Sequence, residues 1–210
     1  MAKKILLING SPRKNGLTNA LLTAVKKKID ELKESTKKEI DSEILQLSDY
    51  KIDHCTGCDA CLRRPNTCPL SEKDDMLKIE NAMKSADAII IGSPTYFGDM
   101  SGLVKVIIDR SRPMKMQGYQ IKDKLFSGVS AAGLQNGGNN WVADSLIHFA
   151  LIHGMIVVGG LGHPVLESNM ANETLQMLGL KEFRKINEPG EIAIKTSANL
   201  GERIFNLLAK

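Results

Sequence analysis

Lys4-Ile5-Leu6-Leu7-Ile8-Asn9-Gly10-Ser11-Pro12-Arg13-Lys14-Asn15-Gly16 is the stretch whose reading decides the fold. Lys4 to Asn9 is a short, almost unbroken apolar run, the pattern of a parallel strand covered on both faces. A polar loop bounded by Gly10 and Gly16 follows, and then a helical stripe of Leu21, Leu22, Val25, Ile29 and Leu32. Strand, glycine-bounded loop and helix start together make the layout of an anion site. The loop N–H groups and the first helical turn aim partial positive charge at one place. Ser11 and Thr18 add hydroxyl donors, and Arg13 adds a charged fork. The loop matches neither G-x-x-x-x-G-K-[ST] nor G-x-G-x-x-G, so an ordinary βα turn stays open beside the phosphate reading.

Outward from this unit the pattern repeats. Ser42 to Leu47, Ala86 to Gly92, Leu125 to Ala132 and Met155 to Val158 read as further strands. Between them lie helical stripes. Ser71, with Asp74 at the capping-box offset, is expected to open one with Met76, Ile79 and Met83. Leu103, Val106, Ile107 and Arg110 mark another, and Val142, Leu146, Phe149 and Ala150 a third. Leu200, Ile204, Leu207 and Leu208 give the closing helix its stripe. Strands alternating with helices imply right-handed βαβ units and a parallel sheet, with ligands beyond the carboxyl ends of the strands. The unusual loops all follow strands one, three and four: Gly10 to Gly16, Ser93 to Gly102 and Gly133 to Asn140. They therefore share that edge. With five Phe, three Tyr and one Trp in the chain, adjacent Tyr96 and Phe97 on a turn stiffened by Pro94 point to a stacked planar ring rather than to core filling.

All four cysteines fall in Cys55-Thr56-Gly57-Cys58-Asp59-Ala60-Cys61-Leu62-Arg63-Arg64-Pro65-Asn66-Thr67-Cys68-Pro69. The spacing C-x2-C-x2-C-x6-C-P is close to the C-x2-C-x2-C-x3-C-P run of bacterial ferredoxins, with a longer last gap. Zinc also takes four thiolates, though usually from two separated knuckles. Disulfides need an oxidising compartment, which nothing else in the chain suggests. Iron–sulfur is the preferred reading and zinc the alternative. Arg63 and Arg64 offset thiolate charge or simply tip a solvated turn. His54 beside Cys55 is read as a polar surface residue or a hydrogen-bonding tuner of sulfur. His148 and His153 are expected to be structural, and His163 to sit in a turn. Trp141 at a helix start packs at an interface or roofs a bound ring, with packing the preferred reading. No Ser/His/Asp or paired-carboxylate constellation supports hydrolysis.

Hydrophobic residues make up 42% of the 210, enough for one sizeable core. The net charge of +4 is interspersed, so no polybasic tract argues for nucleic acid. No run of 18 apolar residues suggests a membrane span, and the chain is expected to be cytoplasmic.

These residues resemble a known family. Gly10-Ser11-Pro12-Arg13, Ser93-Pro94-Thr95-Tyr96-Phe97-Gly98, Gly137-Gly138-Asn139 and the Cys-x2-Cys-x2-Cys run continuing to Asp74-Asp75-Met76 are similar to iron–sulfur flavoproteins of the NAD(P)H-dependent FMN reductase, flavodoxin-like superfamily. The resemblance implies a single α/β domain over residues 1–210, a flavodoxin-like three-layer sandwich with five parallel strands in order 2-1-3-4-5. A cysteine loop would lie at 50–70 after strand 2, and a C-terminal extension at 160–198 before the last helix. It implies FMN phosphate at Ser11, Arg13, Gly16 and Thr18. The isoalloxazine would lie on Pro94, Thr95, Tyr96, Phe97 and Gly98, and against Ala132, Gly137 and Asn139. It also implies a [4Fe–4S] cluster on Cys55, Cys58, Cys61 and Cys68, near an FMN across the interface of a homodimer or homotetramer. The function implied is electron transfer between a reduced donor and an acceptor. The alternatives are an NAD(P)H-dependent FMN or quinone-type reductase whose loop holds zinc or is empty, and a redox sensor. Leu17 stands where the family often carries Asn, and Asn140-Trp141 departs from its usual continuation. Residues 160–191 fit no pattern and are expected to form loops and short helices.

Overall fold

β1 (Lys3–Asn9) is apolar and fully buried from Ile5 to Ile8 because both its faces are covered there. Ile5 and Leu7 join one core, while Leu6 and Ile8 join the other, as the two-residue period of a strand requires. The computed structural model describes residues 2–133, 137–164 and 189–210. Residues 134–136 of the glycine-rich loop and 165–188 of the expected extension lie outside them. After β1 the chain runs through α1 (Leu17–Thr36), β2 (Ile40–Gln46), α2 (Met76–Ser85), β3 (Ala88–Tyr96), β4 (Asp99–Met100), α3 (Gly102–Arg110) and α4 (Arg112–Met116). It closes with β5 (Leu125–Ala132), α5 (Asn139–Ile152), β6 (Ile156–Pro164) and α6 (Glu191–Leu208).

The main strands are parallel and ordered β2-β1-β3-β5-β6, with β4 folded back antiparallel on β3. Leaving out two-residue β4, this is the expected order 2-1-3-4-5. Leu21, Leu22, Val25 and Ile29 of α1 and Leu200, Ile204 and Phe205 of α6 cover one face of the sheet. Met76, Ile79 and Met83 of α2, Ile107 of α3, and Leu146 and Phe149 of α5 cover the other. The result is the three-layer flavodoxin-like fold. Among the described residues no helix is long and apolar enough to cross a membrane.

Four expectations are corrected. The helix expected from Ser71 begins only at Met76, because the Asp74 carboxylate is engaged elsewhere. β3 continues past Gly92 to Tyr96; β1 ends opposite Gly92, so Pro94 has no donor to supply on that side. Gly159, Gly160, His163 and Pro164, read as loop punctuation, lie within β6, an edge strand where proline at the end costs no ladder bond. The last helix starts at Glu191, inside the segment expected to be extension.

His153 shows how closely this fold packs. Its side chain is 2% exposed and stacks edge-on against Phe149. Ser111 Oγ donates its proton to Ile108 O at 2.7 Å, so His153 Nε2 is the donor across the 2.9 Å contact to Ser111 Oγ. Nδ1 is then a buried lone pair without a partner. Burial, and secondarily the charge of Lys115, lowers the His153 pKa from 6.5 to about 4. The folded protein thus resists a proton that the unfolded chain accepts. Stability is full above pH 6.5 and falls as the pH drops toward 4, by at most about 3 kcal/mol. Glu80, whose pKa burial raises, titrates with the opposite sign, so the discriminating quantity is a difference between variants. Urea unfolding of wild type and His153→Gln at pH 7 and pH 4.5 should show a smaller acid loss in the variant; equal losses would contradict this account.

Candidate functional site

The loop after β1 is braced from two strand ends. Asn9 and Gln46 are register partners, and Asn9 Nδ2 donates to Gln46 Oε1 at 2.7 Å. Gln46 Nε2 donates to Ser11 O at 2.6 Å, and Asn9 Oδ1 accepts from Ser11 N at 3.0 Å. Ser11 Oγ accepts from Arg13 N at 3.1 Å. The first helical bond of α1 runs from Ala20 N to Gly16 O, so the N–H groups of Leu17, Thr18 and Asn19 have no helical acceptor. No acidic residue occupies that first turn. The loop therefore ends on donors without a helical acceptor and on a first turn without acidic residues, which is what an anion requires.

The second wall comes from β3. Phe97 and Gly98, with φ of 51° and 88°, make the two-residue turn into β4 that pairs Tyr96 with Asp99. Both central residues at positive φ is the sign pattern of a type I′ hairpin turn, and Phe97 holds it without being glycine. Ser101 ties this wall to the first loop: its Oγ donates to Gly10 O at 2.7 Å and caps α3 by accepting from Val104 N. The loop after β5 closes against the same turn. A Cβ on Gly138, whose φ is +94°, would stand 2.3 Å from Gly98 O, so only glycine permits this approach.

Together the three loops enclose a cleft of about 800 Å³. Of the expected residues, Ser11, Arg13, Gly16, Thr18, Pro94, Thr95, Tyr96, Phe97, Gly98, Ala132 and Gly137 line it. Asn139 does not: it is buried at the start of α5, turned away from the cleft lining. Leu17, Ala131, Gly133, Gly138 and Trp141 line it as well. Trp141, expected to pack, is 74% exposed at the cleft, and Phe97 is fully exposed. Asn9, Gln46 and Ser101 shape the cleft from behind. Their polar character at strand and helix ends was the available signal, though the bonds that tie one loop or strand to another span 35 or more residues.

The four cysteines are free thiols lining a second, smaller cavity of about 30 Å³, which shares no lining residue with the cleft. Gly57 and Asp59, both at positive φ, turn the loop between the first three. The Ala60 N–H, then the Thr56 hydroxyl and more weakly Arg63, lower the Cys58 pKa and so favour its thiolate. Arg63 Nη2 donates to Cys58 O at 3.1 Å, while Asn66 Nδ2 donates to Cys61 O at 2.9 Å. Gln117 of the segment after α4 holds Asn66, and Arg112 pairs with Asp59 at 2.8 Å. Among the described residues no three His, Cys, Asp or Glu side chains converge on one point that would hold a single ion. The four cysteines instead share the lining of one cavity. His54 is exposed and outside its lining.

Beneath the loop lies an ion pair. The Arg110 and Asp74 side chains are 1% and 0% exposed and meet at 2.6 Å. Burial opposes charge on both, but the Arg110 hydrogen bonds keep the Asp74 pKa below its ordinary value. Asp74 also accepts from Asp53 N and Met76 N, and Arg110 Nη1 donates to Asp53 O at 2.7 Å. One carboxylate thus pins the chain on either side of the cysteines to α3.

The NADPH-dependent FMN reductase family matches residues 3–163. Over 204 residues the chain is 39% identical to an iron–sulfur flavoprotein of Archaeoglobus fulgidus, covering 97% of this chain and 94% of that protein. It is 33% identical over 205 residues to an iron–sulfur flavoprotein of Methanocaldococcus jannaschii, covering 98% and 97%. Among solved structures it is similar to an azoreductase of Bacillus anthracis, with a TM-score of 0.63 at 14% identity and 96% and 99% coverage. That last likeness is one of fold. The chain belongs to the NADPH-dependent FMN reductase family and to its iron–sulfur flavoproteins.

Proposed function

We propose that this chain passes electrons between a reduced donor and an acceptor through FMN in the larger cleft and a [4Fe–4S] cluster on Cys55, Cys58, Cys61 and Cys68. The observation that carries the proposal is that all four cysteines line one cavity, on a fold whose edge holds a cleft with N–H donors at one end and aromatic residues along its wall. A flavin exchanges electrons in pairs with one partner and singly with another, while a cluster carries single electrons.

The residues suit both groups. About 800 Å³ is the size of a cofactor site, and its two ends differ as the two ends of FMN do. Ser11, Arg13, Gly16 and Thr18, with the free N–H groups opening α1, would take the phosphate. Pro94 to Gly98, with Ala132 and Gly137, would hold the ring, the backbone reading its heteroatoms. For the cluster, four thiols spread around a cavity match a group that brings its own iron and sulfide better than they match one ion. The lowered Cys58 pKa favours the ligating form. Exposed Phe97 and Trp141 at the cleft are available to a second copy of the chain, in keeping with a homodimer or homotetramer.

The family match also favours a second reading, direct reduction of the flavin by NAD(P)H. Anaerobic mixing with NADPH tests it: rapid bleaching of flavin absorption in a cluster-free Cys58→Ala variant would support it, and no bleaching would leave another reduced donor, a protein or a small molecule.

Two substitutions test the cleft by fluorescence titration with FMN and riboflavin. Arg13→Ala should weaken FMN about 10- to 100-fold, the range of a lost charge-assisted hydrogen bond, and leave riboflavin unchanged. Gly138→Ala should weaken both, since it drives the two loops apart. Unchanged FMN binding in Arg13→Ala would place the phosphate elsewhere.

A further inference from the structure

Arg110 is a fully buried cation whose surroundings are incompletely matched. A guanidinium carries five N–H donors. Nη1 serves Asp53 O at 2.7 Å and Asp74 Oδ2 at 2.6 Å. Nη2 serves Asp74 Oδ1 at 3.3 Å and Ser71 Oγ at 3.4 Å. Nε is buried and has no partner among the described residues. Buried polar groups are almost always paired, so an unpartnered one asks what it is kept for. Arg110 lines the cysteine cavity, and Cys68 is the cysteine at its side.

The geometry of the pair separates anchoring from this leftover donor. Asp74 grips both η nitrogens and is itself fixed by Met76 N at 2.9 Å and Asp53 N at 3.1 Å. Holding the loop requires only those bonds. Arg110, which lines the cavity with the cysteines, therefore keeps a buried donor that the anchoring bonds do not use. Arg63, Arg64 and Arg112, the other arginines at the loop, are exposed and act through water. Adding one electron to a thiolate-bound centre adds one negative charge. A fixed cation and a hydrogen bond to sulfur both favour that reduced form.

We propose that Arg110 sets the potential of the thiolate centre: held by Asp74, it presents its charge and its unengaged Nε–H to the Cys68 side of the cavity and raises the midpoint potential of the group bound there. The inference rests on the cluster reading above. It makes Arg110 a positioning and tuning residue, distinct from the four ligands.

The test is an anaerobic redox titration of the holoprotein, following the cluster by electron paramagnetic resonance and the FMN by absorption in the same sample. The Arg110→Gln/Asp74→Asn double variant replaces the ion pair with two amides. It should keep wild-type iron and sulfide while its cluster equilibrium shifts at least tenfold toward the oxidised form, 59 mV for one electron. The FMN potentials should stay in place. Arg112→Ala, which removes an exposed cation at the same cavity, should shift the cluster less than threefold. A second measurement needs no substitution of Arg110. In protein labelled with 15N-arginine and carrying Arg63→Lys, Arg64→Lys and Arg112→Lys, the reduced cluster's unpaired spin should couple to an arginine nitrogen. An unmoved cluster potential in a loaded double variant, or no arginine coupling, overturns the proposal; if the double variant does not fold, the coupling decides alone. Wild-type protein without iron and sulfide would overturn the cluster reading and this proposal together, an outcome distinct from a loaded cluster that ignores Arg110.

Discussion

A parallel sheet buried on both faces cannot turn a strand straight back on its neighbour; each connection must cross over one face and re-enter from the same end. In this chain that constraint places the carboxyl ends of β1, β3 and β5 side by side, and everything that shapes the larger cleft follows from it. The three loops leave one edge and meet there. Their meeting is close enough that Gly138 packs against Gly98 backbone and Ser101 reaches Gly10. The winding reverses between β1 and β3, which lie at the centre of the sheet with β2 beyond one and β5 beyond the other. A crevice opens at such a reversal because successive helices leave in opposite directions.

The cysteine loop obeys a different constraint. It follows β2, an outer strand, and has almost no apolar residue to bury. What holds it is polar: Asp74 and Arg110 beneath it, and Arg112, Gln117 and Asn66 along its flank. Removing one member of a fully buried pair generally costs about 3–5 kcal/mol, whereas an exposed pair such as Arg112 with Asp59 contributes roughly 0–1 kcal/mol. The order of the loop therefore depends chiefly on Arg110. The same side chain that fixes the loop also lines the cavity its thiols surround, so local order and local electrostatics are set together.

The fold was legible because a doubly covered strand leaves a strong mark: Lys4 to Asn9 and Leu125 to Ala132 were read within a residue of their observed limits. Where reading failed, a local rule met a distant partner. Ser71 and Asp74 have the spacing of a capping box, but Arg110, 36 residues on, takes the carboxylate. Arg110 itself sits at the helical spacing of Leu103, Val106 and Ile107, and nothing local says that the last position of that stripe buries a charge. Gly159 and Gly160 look like a break, yet an edge strand tolerates them. The cleft was read nearly whole, since its residues lie on contiguous loops. Asn139 is buried, since a first helical turn can point inward as readily as toward a ligand, and Trp141 is exposed, as an interface or cleft residue would be. The braces Asn9, Gln46 and Ser101 act across strands, and no spacing in the chain announces such pairings.

The central claim is that one chain of this fold carries both a flavin and an iron–sulfur cluster. Anaerobic purification followed by quantification of FMN, iron, sulfide and zinc, with an absorption spectrum, tests it most directly. The account predicts about one FMN, about four iron and about four sulfide per chain, with iron and sulfide but not FMN lost in Cys58→Ala. A flavin accompanied by zinc and no iron, or no flavin at all, would contradict it.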